Sequence, residues 1–403
     1  MAERPRILVL SSSTGSGHDK RAQTFVDWVA HQEGDAVEVR REQIIENGST
    51  LGAFGVQVYN SIQRRAPRLH RVYWHIVERL VGTHAERVTF GGRYYRRLLA
   101  AYRPHLVFSV HDSTNRGYFA DARQVLGAAN VRCATYCGEY TGGPGYSHNW
   151  VDPTADWFGA RTEEARDFAV RLGMPHERTT VLGAFLPPAI EEPVKRAEGL
   201  AGLGLSTDRL TLLLATGGFG ANHHRAFLRA LAPLAAHVQV IAVCGRNQAA
   251  FKRLEALRAS GMPFPLHVEG FSQKMGTYLQ LADAVVARGG ANTATEALEA
   301  GCPLVFDALD GSMPQEDLTL RYFAQHAEAC VLRRANELAD VVRAWIDQPE
   351  RLVKQRQKMG QLRRSEAMAT VVGQLLALAR EAAGEQSTRA SVADFSTPSA
   401  GIR

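Results

Sequence analysis

The 403-residue sequence has few cysteines and no paired spacing among them. Cys133, Cys137, Cys244, Cys302 and Cys330 are an odd number without a Cys-x-x-Cys motif, which argues against a disulfide framework or a cysteine zinc site and for a reducing compartment. Long apolar runs are missing too. The first run, residues 7–10, is far shorter than a secretory core, and the longest uncharged stretch, 230–245, is interrupted by Pro233, His237 and Gln239. Neither a signal peptide nor a transmembrane helix is expected. Glycine-rich turns are present, but none is followed by the Lys-Ser or Lys-Thr of a Walker loop, and none is a clean dinucleotide fingerprint with its spaced acidic partner. ATP hydrolysis and hydride transfer are therefore disfavoured. No Asp-x-Asp triplet occurs to hold a divalent ion, and no metal site is expected.

What the chain does have is alternation. Hydrophobic residues at 45% and charged residues at 22% are values for a soluble globular protein, and the length accommodates two α/β domains. Short apolar runs at 7–10, 37–39, 106–110 and 131–136 are separated by helix-forming segments. The pattern breaks at Leu186-Pro187-Pro188, then resumes at 210–215, 238–244, 267–270, 284–287 and 304–306, with helices from 336 onward. Such alternation predicts parallel sheets covered by helices on both faces. The expectation is an α/β chain of two Rossmann-like domains, 1–188 and 197–365, facing across an interdomain cleft. A C-terminal helix over 366–383 and a disordered tail over 384–403 complete it.

The most informative segment is RGGANTATEAL at 288–298. A strand ends, Gly289 and Gly290 let the backbone pass close to a ligand, and a helix opens whose free N–H groups at Ala291, Asn292 and Thr293 face an anion. Glu296 lies four residues after Asn292, on the same helix face one turn deeper, where a carboxylate suits the paired hydroxyls of a ribose. A second glycine-rich turn, SSSTGSGH at 11–18, follows the first strand, and a third, TGGFGAN at 216–222, follows the strand at 210–215. In a parallel α/β domain such turns lie at the carboxyl ends of the strands, where ligands bind.

The net charge of +6 is unevenly spread. Between Arg64 and Arg103 there are ten arginines against two acids, interleaved with Tyr73, Trp74, Phe90, Tyr94, Tyr95 and Tyr102. Basic residues mixed with aromatics suit an anionic membrane surface, so segment 61–103 is expected to face a membrane. The same pattern also fits a merely solvated helix face. Nucleic acid is not the expected partner.

Together these pieces resemble a GT-B glycosyltransferase of family 28, in the branch of monogalactosyldiacylglycerol synthases and processive diacylglycerol glucosyltransferases. The resemblance runs over roughly residues 6–380 and is carried by TGSGH at 14–18, the segment 150–187, VIAVCGRN at 240–247, and GFSQKMGTYLQLADAVVARGGANTATEAL at 270–298 followed by Pro314-Gln315-Glu316. It implies donor contacts at Gly218, Gly245, Arg246, Phe271, Met275, Arg288, Gly289, Gly290, Ala291, Asn292, Thr293, Glu296, Gln315 and Glu316. It also implies an acceptor-side loop of Gly15, Ser16 and Gly17. His18 is the expected general base, because its ordinary pKa lies near neutrality, with Glu139 as the alternative. The chain departs from the family at Glu139, where a Thr-Asp pair is common nearby, at Pro314 and Thr319 around Gln315, and at Arg288 in place of a lysine.

The resemblance therefore implies an inverting, metal-independent hexosyl transfer from a UDP-sugar to a lipid such as diacylglycerol, with no cofactor. The protein would be cytoplasmic and held peripherally at the inner face of the membrane. The alternatives are transfer to a polyprenyl-linked or soluble acceptor, nucleotide-sugar epimerisation, and a binding protein with a degenerate site.

Overall fold

The computed structural model describes residues 4–14, 17–65, 90–187, 193–215, 223–363 and 368–384, the side chains of 62–65 excepted. The expectations for Gly15, Ser16 and Gly218, for Tyr73 and Trp74 with the arginines among 66–89, and for the tail beyond 384 lie outside the described residues.

Two six-stranded sheets organise the chain. The first contains β1 (Arg6–Ser11), β2 (Glu38–Gln43), β3 (Leu106–Ser109), β4 (Arg132–Cys137), β5 (Trp157–Ala160) and β6 (Thr179–Val181), in the order β2-β1-β3-β4-β5-β6. The second contains β7 (Leu210–Ala215), β8 (Val238–Val243), β9 (Leu266–Glu269), β10 (Ala284–Ala287), β11 (Leu304–Asp307) and β12 (Cys330–Leu332), in the order β12-β11-β10-β7-β8-β9. Every strand pair is parallel. Strands covered on both faces need apolar side chains at every position, which is why β3, β8 and β10 are buried throughout. Strand β2 is different. It lies at an edge, and Glu38, Arg40 and Arg41 remain exposed there, a charged edge that discourages pairing with another chain.

Strand order reverses at β1/β3 in the first sheet and at β7/β10 in the second. These are the two points where an α/β sheet opens a ligand crevice at its carboxyl edge. Six helices build or brace the walls of that crevice: α1 (Gly17–Glu33), α2 (Thr50–Arg65), α3 (Gly92–Tyr102), α4 (Ala291–Ala300), α5 (Pro314–Ala327) and α6 (Met368–Ala382).

Helix α1 buries Ala22, Phe25 and Val29 on the first sheet beside Ile7, Val9 and Phe108. Helix α6 joins that same core through Met368, Val371, Val372, Leu375, Leu376 and Ala379. The chain thus returns to the first domain after completing the second, and Arg380–Glu33 (2.6 Å) and Arg132–Glu381 (2.7 Å) ion pairs flank the contact.

Helix α3 corrects the expectation that 61–103 faces a membrane throughout. Tyr95 is fully buried with its ring 5.1 Å from that of Tyr118, and Leu98 and Leu99 are buried beside it. Tyr94 donates a hydrogen bond to Glu42 (2.9 Å), and Arg96 pairs with Asp121 (3.1 Å). Tyr95, Leu98, Leu99 and Tyr102 recur at helical spacing, so the last part of the segment, Gly92–Tyr102, packs into the core.

The domains meet closely. The Tyr140 ring, from the first domain, packs 5.2 Å from Tyr322 and 4.8 Å from Phe323 of α5, and its hydroxyl shares a 2.8 Å hydrogen bond with Thr295 of α4. Arg321 donates to the carbonyls of Gly142 and Pro144, both at 3.1 Å.

Candidate active site

Strand β10 ends at Ala287 and the chain turns through Arg288, Gly289 and Gly290 into α4. The two glycines do different work. A Cβ on Gly289 would lie 2.2 Å from Leu320 Cδ1 and 3.0 Å from Glu316 Cβ, so this glycine exists to let α5 approach. A Cβ on Gly290 would meet nothing within 4 Å. Of the pair, Gly290 has open space on its Cβ side, whereas that side of Gly289 is taken by α5. From Gly290 onward, the amides of Ala291, Asn292 and Thr293 have no partner within the helix, and the helix dipole adds partial positive charge there.

Arg288 does not lend a free charge to this site. Its guanidinium is paired with Glu316 at 3.1 Å, and Glu316, itself buried, accepts a further hydrogen bond from the Met313 amide at 3.0 Å. The two expected donor-site residues hold one another and anchor the start of α5. Gln315 donates to the Tyr59 hydroxyl of the first domain (2.9 Å), while its Oε1 is buried without a partner.

A cleft of about 650 Å³ runs along α4 between the domains. Asn292, Thr295 and Glu296 line it from the helix, Ser272 and Gln273 from the loop after β9, Met275 from the start of the helix that follows that loop, and Lys20, Arg21 and Arg161 from the first domain. Lys20 reaches across to hydrogen-bond the Glu296 carboxylate. At the second domain's surface Phe271 is 52% exposed with the Arg246 guanidinium stacked 4.7 Å from its ring centre. Gly245 turns there with φ +56°, a left-handed conformation that favours glycine.

His18 sits in the first turn of α1, the helix that contributes Lys20 and Arg21 to the cleft. Its Nδ1 is 2.8 Å from the Val110 carbonyl oxygen. A carbonyl only accepts, so Nδ1 carries the proton and Nε2 keeps a free lone pair. Burial, then the neighbouring His111 and Arg21, hold its pKa well below the ordinary histidine value, so the ring is neutral near pH 7. The His111 ring lies 4.2 Å away. Asp112 would be pushed up by burial, but hydrogen bonding and charge from His111 outweigh that and keep it ionised. Glu139, just past β4, accepts from Trp150, yet burial outweighs that bond and the nearby Arg21 and Arg161 and pushes it up to about 7.

The α1 and α4 walls touch. A Cβ on Gly17 would stand 3.4 Å from the Asn292 side-chain amide, so the residues singled out at 17–18 and at 290–296 belong to one site. Among the described residues no cluster of His, Cys, Asp and Glu is arranged to hold a metal ion.

Residues 211–371 match the glycosyltransferase family 28 C-terminal domain. The chain is a glycosyltransferase with a family 28 domain. It is 21% identical over 376 residues to a processive diacylglycerol beta-glucosyltransferase of Bacillus pumilus, covering 92% of this chain and 94% of that protein. A probable chloroplastic monogalactosyldiacylglycerol synthase of Nicotiana tabacum is 24% identical over 355 residues, 84% of this chain and 64% of the plant protein. The solved structure of Acinetobacter baumannii MurG shares the fold with a TM-score of 0.59 at 16% identity, over 93% of this chain and 99% of that one. The two-domain fold of the transferase is GT-B.

Sequence reading missed Lys20, Arg21, His111, Asp112 and Arg161 of the transferase. Two signals were available. Arg21 follows His18 at i+3 and so shares its helix face. Arg161 directly follows β5, and the carboxyl end of a parallel strand is where ligand-facing side chains collect.

Proposed function

We propose that the protein moves a hexose from a UDP-sugar to a membrane lipid of the diacylglycerol type, with inversion at the anomeric carbon and no metal ion. The observation that carries this reading is a neutral His18 in a fixed tautomer on α1, the helix whose Lys20 and Arg21 line the cleft together with Asn292 at the open amino end of α4. In this reading Glu296 exchanges Lys20 for the ribose hydroxyls, and the diphosphate sits against the amides of Ala291 to Thr293. The acceptor hydroxyl gives its proton to His18 Nε2 as its oxygen attacks. The positive end of α4 and the cleft cations supply the charge stabilisation that a divalent ion supplies in other transferases.

The acceptor class is taken from the relatives, whose names specify glycosylation of diacylglycerol. It is consistent with α2, where Leu51 and Phe54, three residues apart, are 71% and 62% exposed. Side chains so placed suit insertion at a lipid interface, with the protein held peripherally rather than spanning. Among the described residues no helix is long and apolar enough to cross a membrane.

The test is incubation with diacylglycerol liposomes and a panel of UDP-sugars. Release of UDP together with a glycolipid supports the proposal. UDP binding without turnover on any lipid refutes it in favour of a binding protein.

A further inference from the structure

Two guanidinium groups are buried in the cleft, and they are satisfied to different degrees. Arg161, 4% exposed, donates to the Ala291 carbonyl at 3.2 Å and to Thr295, and lies 4.6 Å from the centre of the Tyr140 ring. Arg21, from α1, is 7% exposed, and its Nε and Nη1 have no hydrogen-bond partner. The Nε of Arg161 has none either. Buried cations without acceptors are costly, and two of like sign beside one another more so. Glu139 is the carboxylate between them in charge terms, but its own burial drives it toward the neutral form.

The backbone is shaped to keep Arg21 there. A Cβ on Gly138 would stand 2.3 Å from the Arg21 Cζ and 2.4 Å from its Nη1, so only glycine admits the guanidinium at this place. Its direction is also set. The position a Gly17 Cβ would take is 3.4 Å from the Asn292 Nδ2 and 3.6 Å from the Arg21 Nη2. The group thus faces the first turn of α4 from the opposite domain, along the same cleft that Asn292 and Thr295 line.

We infer that Arg21 is a catalytic residue, contributed by the first domain to hold the departing nucleoside diphosphate against the amino end of α4. The inference rests on the transferase reading above. In the transfer step the bond from the anomeric carbon to the β-phosphate oxygen breaks and its electron pair stays on that oxygen. The acceptor oxygen bonds to the anomeric carbon, and its proton passes to His18 Nε2. Negative charge grows on the diphosphate, and the Arg21 guanidinium, whose Nη2 lies on the side of Asn292 and α4, answers it. Because Arg21 and α4 belong to different domains, this stabilisation exists only when the domains are closed, so donor cleavage is tied to closure.

The sign of the stability change separates this role from a structural one. In the full-length chain, Arg21→Met removes an unsatisfied buried charge, so the nucleotide-free protein is expected to melt at the same or a higher temperature. Calorimetry is expected to show UDP affinity reduced about 10–100-fold while uridine affinity is unchanged. Turnover is expected to fall about 10²–10³-fold. Gly138→Ala, which displaces the guanidinium and keeps its charge, is expected to lower UDP affinity in the same selective way. Should Arg21→Met not fold, Arg21→Lys, which keeps a charge without the planar fork, is expected to weaken UDP and spare uridine. A destabilised Arg21→Met that loses UDP and uridine affinity together would make Arg21 a counter-ion for Glu139 and overturn the inference. Equal UDP affinity and turnover in wild type and Arg21→Met would overturn it and leave the transferase reading standing. A wild-type protein that binds neither UDP nor uridine would remove that reading itself.

Discussion

Substituting the two glycines before α4 one at a time separates packing from ligand approach. In Gly289→Ala the new methyl would sit 2.2 Å from Leu320 Cδ1, 3.0 Å from Glu316 Cβ and 3.1 Å from the Glu316 carbonyl oxygen. Leu320 is 5% exposed and packed in the core under α4, so it has little room to withdraw. Overpacking of this kind costs about 1–3 kcal/mol. In a domain of this size each kcal/mol lowers the melting temperature by about 2–4 °C. Gly290→Ala meets nothing within 4 Å and has φ −65°, which alanine adopts freely. Its cost is the poorer helix cap, about 1 kcal/mol or less. Its methyl instead occupies space beside the amides at the start of α4, so UDP affinity is expected to fall while the melting temperature barely moves. Scanning calorimetry with and without UDP reads both quantities. A Gly289→Ala protein as stable as wild type, or a Gly290→Ala protein with unchanged UDP affinity, would refute the division of labour between the two positions.

The same geometry sets three further outcomes. His18 has its pKa held below the ordinary value of 6.5 and must be unprotonated to act. The acid limb of kcat is therefore expected well below pH 6.5, whereas a limb near 7 would transfer the role to Glu139. Glu296→Ala is expected to weaken UDP binding by about 1.5–3 kcal/mol, roughly 10–100-fold, in isothermal calorimetry, and an unchanged affinity in the folded variant would contradict the ribose assignment. Burial pushes the Cys133, Cys137 and Cys302 thiols up to about 12, so these three are expected to resist a thiol reagent until the protein is denatured, and rapid native labelling of any of them would contradict that burial.

The central strands and the α4 turn were legible in the sequence for one physical reason. Parallel strands covered on both faces are continuous apolar runs, and their carboxyl ends carry the glycines. Strand β2 shows in the sequence only as 37–39 because an edge strand keeps charged residues such as Arg40 and Arg41, and charge masks the strand pattern. The core role of α3 was hidden because arginine and tyrosine stand out by composition, whereas burial is set by phase. The helical face of Tyr95, Leu98 and Leu99 is the signal that decides. The periodicity of α6 showed a helix but not its partner, since an apolar stripe does not say which sheet it covers. Arg21 was invisible for a different reason. Its burial depends on Gly138, 117 positions away in the chain but in contact with it in the fold, and one sequence does not display such pairs. The use of Gly289 to admit Leu320 and Glu316 was hidden in the same way, whereas the ligand-facing expectation rested on motif alone.

The proposed reaction is an inverting transfer carried out by His18 and the α4 terminus. It is tested most directly by giving an α-linked UDP-sugar and diacylglycerol liposomes to the wild-type protein and to His18→Ala, then determining the anomeric configuration of the glycolipid by NMR. A β-linked product is expected from wild type, and turnover lower by about 10²–10⁴-fold in His18→Ala, with UDP affinity retained. An α-linked product, or equal turnover in the two proteins, would contradict it.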